Sequence, residues 1–84
     1  MPEEKPMTLT QMRSGQSGRV VQIHGGQGLV NRLGVLGIRP GRKITKVSAM
    51  LMQGPVTIEV DRTQVAIGFG MARRIIVEPG QTTE

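Results

Sequence analysis

The sequence predicts a small, mainly β domain: a barrel of about five short strands, with one helix between the first and second main strands. Three observations lead there. Twelve of the 84 residues are glycine and five are proline, spaced so that they cut the chain into short pieces, a punctuation that suits strands joined by turns. Val56, Ile58 and Val60 alternate with Thr57 and Glu59, the period of two of a strand with one face buried and the other wet. Phe69 is the one aromatic residue, so the interior must close on Val, Ile, Leu and six Met around a small radius.

Taken in order, residues 1–6 and 79–84 are polar and contain Pro2, Pro6, Pro79 and Gly80, and they are expected to be frayed tails around a single domain at 7–78. Met7 to Thr10 suits a short edge strand, and Arg13 to Gly18 a turn. Arg19 to His24 is the first main strand; Val20, Val21 and Ile23 do not alternate, which predicts a bulge or a strand covered on both faces. The glycines of Gly25-Gly26-Gln27-Gly28 then lead into a helix, with positive φ and a close passage of the helix over the barrel expected there.

The stretch from Gly28 to Ile44 is the most specific. Leu29, Leu33 and Leu36 stand at i, i+4 and i+7, one apolar stripe of a helix. Gly37 stands where a helix needs a left-handed stop, and Ile38 is placed to fold back toward Leu33. Pro40-Gly41 suits the centre of a type II turn, with φ fixed at Pro and positive at Gly. Strands follow at Arg42–Ala49, Val56–Val60 and Thr63–Ile67, with Asp61-Arg62 as the turn between the last two. Gly68 to Ala72 is short enough for one 3₁₀ turn, and Arg74–Glu78 forms the final strand.

Composition excludes several kinds of chemistry. There is no cysteine, hence no disulfide framework, thiolate metal site or cysteine nucleophile. No apolar run reaches the roughly 18–20 residues of a membrane helix, and Met1 to Lys5 has no leader character; a soluble, cytoplasmic protein is expected. His24 is the single histidine, too few for a first shell with the scattered carboxylates Glu59, Asp61 and Glu78. The methionines suit gap filling in an aromatic-poor core, and thioethers favour copper(I) over ferrous iron. The glycine loop before the helix lacks the Lys-Ser/Thr ending of a phosphate cradle. No serine stands in an activating context. The expectation is a protein that is not an enzyme and carries no cofactor and no metal.

Charge points to partners. All eleven Lys and Arg lie between residues 5 and 80, against three carboxylates, so the body favours an acidic surface or phosphate. Arg39, Arg42, Lys43 and Lys46 crowd the Pro-Gly turn, with Arg32 on the helix and Arg73-Arg74 before the last strand. Nucleic-acid barrels add aromatic side chains for base stacking, and Phe69 alone does not supply them. Met50-Leu51-Met52 is an apolar link, not all of which one core can absorb. Together with Arg39, Arg42 and Lys43 it is the candidate partner surface.

The ordered set of G-x-x-G-x-V at Gly15, Gly18 and Val20, Gly25-Gly26, R-L-x-x-L-G-I-x-P-G from Arg32 to Gly41, Gly54-Pro55-Val56, and A-I-G-x-x-x-A-x-x-I from Ala66 to Ile75 resembles the FeoA family of small ferrous iron transport proteins, over residues 8–78. The resemblance implies an SH3-like barrel, and Leu29, Leu33, Leu36, Gly37, Pro40 and Gly41 would be its structural motif. It also implies a cytoplasmic, monomeric accessory protein of ferrous iron uptake. Such a protein would contact a FeoB-type transporter at its cytosolic GTP-binding domain and reach the membrane only through that partner. The alternatives are a small basic nucleic-acid-binding barrel and a direct transition-metal-binding protein, opposed by the missing aromatics and the single histidine.

Overall fold

The computed structural model describes residues 5–49 and 54–80. Six strands form one antiparallel sheet: β1 Met7–Thr8, β2 Ser17–Ile23, β3 Lys43–Ala49, β4 Val56–Val60, β5 Thr63–Ile67 and β6 Ile75–Pro79, in the order β1-β6-β2-β3-β4-β5. Helix α1, Gln27–Val35, joins β2 to β3, and the single turn α2, Phe69–Ala72, joins β5 to β6. Strands β2 to β5 follow one another as neighbours. The crossover through α2 then carries the chain from one edge of the sheet back between β1 and β2.

Several local expectations differ from what the structure shows. The first segment is a strand only at Met7–Thr8; Leu9–Gln11 then coils into a 3₁₀ turn and buries Leu9 completely. Strand β2 starts two residues earlier than expected, at Ser17, and ends at Ile23. Residues 69–72 make an α turn in place of a 3₁₀ one, with Ala72 N–H bonded to Gly68 O at 2.9 Å and Arg73 N–H to Phe69 O at 3.0 Å. At the other end β6 runs on to Pro79, which pairs with Gly18, and Gly80 N–H reaches Ser17 O at 2.9 Å.

The bulge expected in β2 is present. Val20 pairs with Val77 but Gln22 with Ile76, so Val21 is the extra residue. The slip resets the phase of the strand: Val20 is fully buried, Val21 (40% exposed) and Gln22 both face out, and Ile23 turns back against the core. A second slip in β3, between Lys46 and Ser48, falls at Val47. On β4 the alternation holds as the pattern requires, with Val56, Ile58 and Val60 buried between half-buried Thr57 and Glu59.

The end of α1 closes as a Schellman motif. Gly37 has φ +90°, its N–H bonds Gly34 O at 2.9 Å, and Ile38 N–H bonds Leu33 O at 2.9 Å. Leu33 and Ile38 are both fully buried in the core. Leu36 is not: at the cap position it is 38% exposed. The chain leaves the helix there, and Ile38 enters the interior where the stripe would have placed Leu36. At the start of α1 none of the glycines has positive φ; what Gly25 provides is room, since a Cβ there would lie 2.5 Å from Leu29 Cδ2.

The Pro40-Gly41 turn is type II, with Gly41 at φ +94° and Arg42 N–H bonded to Arg39 O at 3.0 Å. Gly41 N–H then bonds Val20 O at 2.7 Å, and Val20 N–H bonds Arg42 O at 2.9 Å. The turn is thereby clamped onto β2. Asp61 and Arg62 both have positive φ, +53° and +69°, between the paired Val60 and Thr63. That is the geometry of a two-residue type I′ hairpin, whose twist matches that of the strands it joins.

Candidate functional site

The basic residues gather where α1, the Pro-Gly turn and the β4–β5 hairpin meet. Arg39 lies just past the helix, and its Nη2 donates to Gly34 O at 3.2 Å, a cation set against the negative end of the helix dipole. Arg42 Nη1 donates to both carboxylate oxygens of Asp61, at 2.8 and 3.1 Å, and so ties the turn to the hairpin. This pair is exposed and adds at most about 1 kcal/mol. Lys43 opens β3 and is exposed; its register partner on β2 is Arg19, whose Nη1 donates to Gly41 O at 3.1 Å.

Arg39, Arg42 and Lys43 are therefore brought together, and Arg19 joins them. Sequence reasoning missed Arg19 because it lies more than twenty residues away along the chain. The available signal was the antiparallel pairing of the strands flanking the helix, which sets Arg19 opposite Lys43. Arg32 is exposed in the last turn of α1. Arg73 and Arg74 are exposed elsewhere, before β6, where Arg74 O accepts from His24 N–H at 2.8 Å.

Lys46 does not belong to this surface, although sequence proximity placed it there. It is 4% exposed, and its Nζ donates to Met12 O at 2.6 Å and to Thr10 O at 3.2 Å. Alternation along β3 explains this: Ile44 and Lys46 share the inner face while Lys43 stays outside. The ammonium closes off carbonyls at the end of the 3₁₀ turn. Its backbone holds the same loop, with Gly15 N–H on Lys46 O at 2.6 Å and Lys46 N–H on Gln16 O at 2.9 Å. Burial disfavours the charged form and lowers the Lys46 pKa from its ordinary value of 10.5.

Met50, Leu51 and Met52 lie outside the described residues. Ala49, the residue before them, ends β3, and seven strand residues extend about 20 Å, so Ala49 stands well away from Lys43 at the strand's other end. His24 is exposed, and among the described residues no three His, Cys, Asp or Glu side chains are grouped so as to hold a metal ion. The half-buried Phe69 belongs to α2.

Among the described residues, one antiparallel sheet with the helix α1 and the short turn α2 makes a small, mainly β domain that presents an arginine-lined turn, and its match to a FeoA structure makes it SH3-like. The chain belongs to the FeoA family: the family model described as FeoA domain matches residues 7–79. A crystal structure described as iron uptake regulatory protein (FeoA) is 35% identical, covers 89% of this chain and 97% of its own, and superposes with a TM-score of 0.82. The solution structure of the FeoA protein from Chlorobium tepidum superposes at 0.81 with 19% identity, over 93% of this chain and 74% of its own. A manganese-dependent transcriptional repressor matches at 0.82 with 20% identity, over 94% of this chain but 44% of that longer one, and shares the fold alone. A comparison with curated protein sequences gives no match.

Proposed function

We propose that this protein is a cytoplasmic accessory protein of ferrous iron uptake, without catalytic activity of its own. It acts by contact with a FeoB-type transporter, at the transporter's cytosolic GTP-binding domain. The observation that carries this reading is the family match over residues 7–79, joined by 35% identity along nearly the whole of a protein described as an iron uptake regulator. Two features of the structure support it. Among the described residues no helix is long and apolar enough to cross a membrane, which suits action through a membrane partner. Arg39, Arg42 and Lys43 are collected on one turn fixed by backbone hydrogen bonds, a placement that suits electrostatic steering onto an acidic surface.

The test is direct binding. The full chain, titrated against the purified cytosolic domain of the transporter, is expected to bind saturably at one to one, with an association rate that falls as salt rises. A random single-stranded RNA serves as the competitor. Tighter binding to the RNA at physiological salt would replace this reading with that of a nucleic-acid-binding barrel.

A further inference from the structure

We infer that Val21, Val35 and Leu36 form the apolar centre, and Arg19, Arg32 and Arg39 the charged rim, of a docking surface for an acidic protein face that presents an apolar side chain. The inference rests on the role proposed above, in which that face belongs to the transporter's cytosolic domain.

Among the described residues three large apolar side chains are exposed: Val35 at 86%, Val21 at 40% and Leu36 at 38%. All three adjoin one segment, Val35 to Gly41. Val35 and Leu36 open it, and Val21 follows Val20, whose carbonyl accepts the Gly41 N–H. The helix stop at one end of this segment leaves Val35 and Leu36 outside, and the outer face of β2, clamped to the other end at Gly41, presents Val21. An isolated exposed apolar residue is ordinary, but three flanking one segment fixed at both ends form a candidate interface centre.

The rim follows from the charges. Arg39 and Arg19 donate to the neutral carbonyls of Gly34 and Gly41, and Arg32 is exposed on the last turn of α1. The one ion pair among the described residues is Arg42–Asp61. Glu78, the register partner of Arg19 on β6, forms no such pair with it. Three cations that form no ion pair among the described residues thus lie on the same stretches of chain as the apolar residues, and charge complementarity selects an acidic partner over a basic or neutral one. The surface is also preformed. The Schellman bonds, the type II turn and its clamp on β2 fix the segment before binding, so little ordering entropy is lost on association.

The experiment compares the full-length wild type with Val35→Glu, Val21→Glu, Arg32→Glu and, as control, Arg73→Glu, each checked for wild-type circular dichroism and melting. Binding to the transporter's purified cytosolic domain is followed by surface plasmon resonance at several salt concentrations. Val35→Glu and Val21→Glu are expected to raise koff by about tenfold or more. Arg32→Glu should lower kon severalfold and flatten its salt dependence, and Arg73→Glu should stay within about twofold of wild type. If the wild type binds and the first three variants match it, the surface is refuted while the proposed role stands. If the folded wild type does not bind the domain at all, both fall. A wild-type dimer in sedimentation that Val35→Glu dissociates would make the occupant a second copy of this chain and overturn the acidic partner. A random RNA whose binding Val35→Glu abolishes would overturn it equally.

Discussion

Gly37 gives the sharpest test of how the helix end is built. Gly37→Ala meets two separate penalties. The first is backbone: φ is +90°, a conformation that costs an L-residue about 1–2 kcal/mol. The second is steric. The new Cβ would stand 3.3 Å from Val60 Cγ1, and Val60 is buried at the end of β4, so it has little room to yield. Overpacking of this kind costs about 1–3 kcal/mol. Against both works a gain of about 0.4–1 kcal/mol, because alanine narrows the unfolded ensemble. The net loss is about 1–5 kcal/mol. Gly41→Ala is the control, since Gly41 has nearly the same φ, +94°, and a Cβ added there would meet nothing within 4 Å. It should lose about 1 kcal/mol, and the unfolded-state gain cancels between the two variants. In a domain of this size 1 kcal/mol corresponds to about 4–8 °C in Tm. Thermal and urea unfolding should therefore rank wild type above Gly41→Ala and Gly41→Ala above Gly37→Ala, at constant m-value. A Gly37→Ala variant that melts with or above Gly41→Ala would show that the contact with Val60 does not constrain the helix end.

Leu33→Ala, at a fully buried position of α1, should lose about 2–5 kcal/mol in urea unfolding; a loss below about 1 kcal/mol would make the helix peripheral to the core. Gly34→Ala should gain about 0.5–1 kcal/mol, because Gly34 lies within α1 with negative φ and a Cβ added there would meet open space; a lower Tm would contradict this. For Lys46 the pKa is lowered on folding, so between the folded value and 10.5 the unfolded chain holds the extra proton. Stability should therefore rise as pH climbs through the folded pKa toward 10.5, relative to Lys46→Met, which has no such group. Urea midpoints from pH 7 to 10.5 should show this relative gain, and a pH-independent difference between the two proteins would refute it.

What the sequence by itself determined is what a few adjacent residues control. The left-handed stop at Gly37, the type II turn at Pro40-Gly41, the hairpin at Asp61-Arg62 and the alternation of Val56, Ile58 and Val60 depend on steric limits and pattern within short windows, so they were legible before any packing was known. The bulge in β2 was legible as a break in alternation, and the family as an ordered set of such signals. The tertiary structure decided matters that depend on residues distant in the chain. Lys46 looks like one more cation of the Pro-Gly turn until the pleat of β3 turns it inward and the carbonyls of Thr10 and Met12, more than thirty residues away, meet its charge. Leu36 fits the apolar stripe, yet the backbone leaves the helix at that residue and Ile38 enters the core instead. Arg19 and Val21 reached the candidate surface only through pairing of β2 with β3 and the clamp of Gly41 on Val20. Local backbone preference is fixed by the few atoms next to each Cα, whereas the face a side chain shows to water depends on which distant strand lies opposite it.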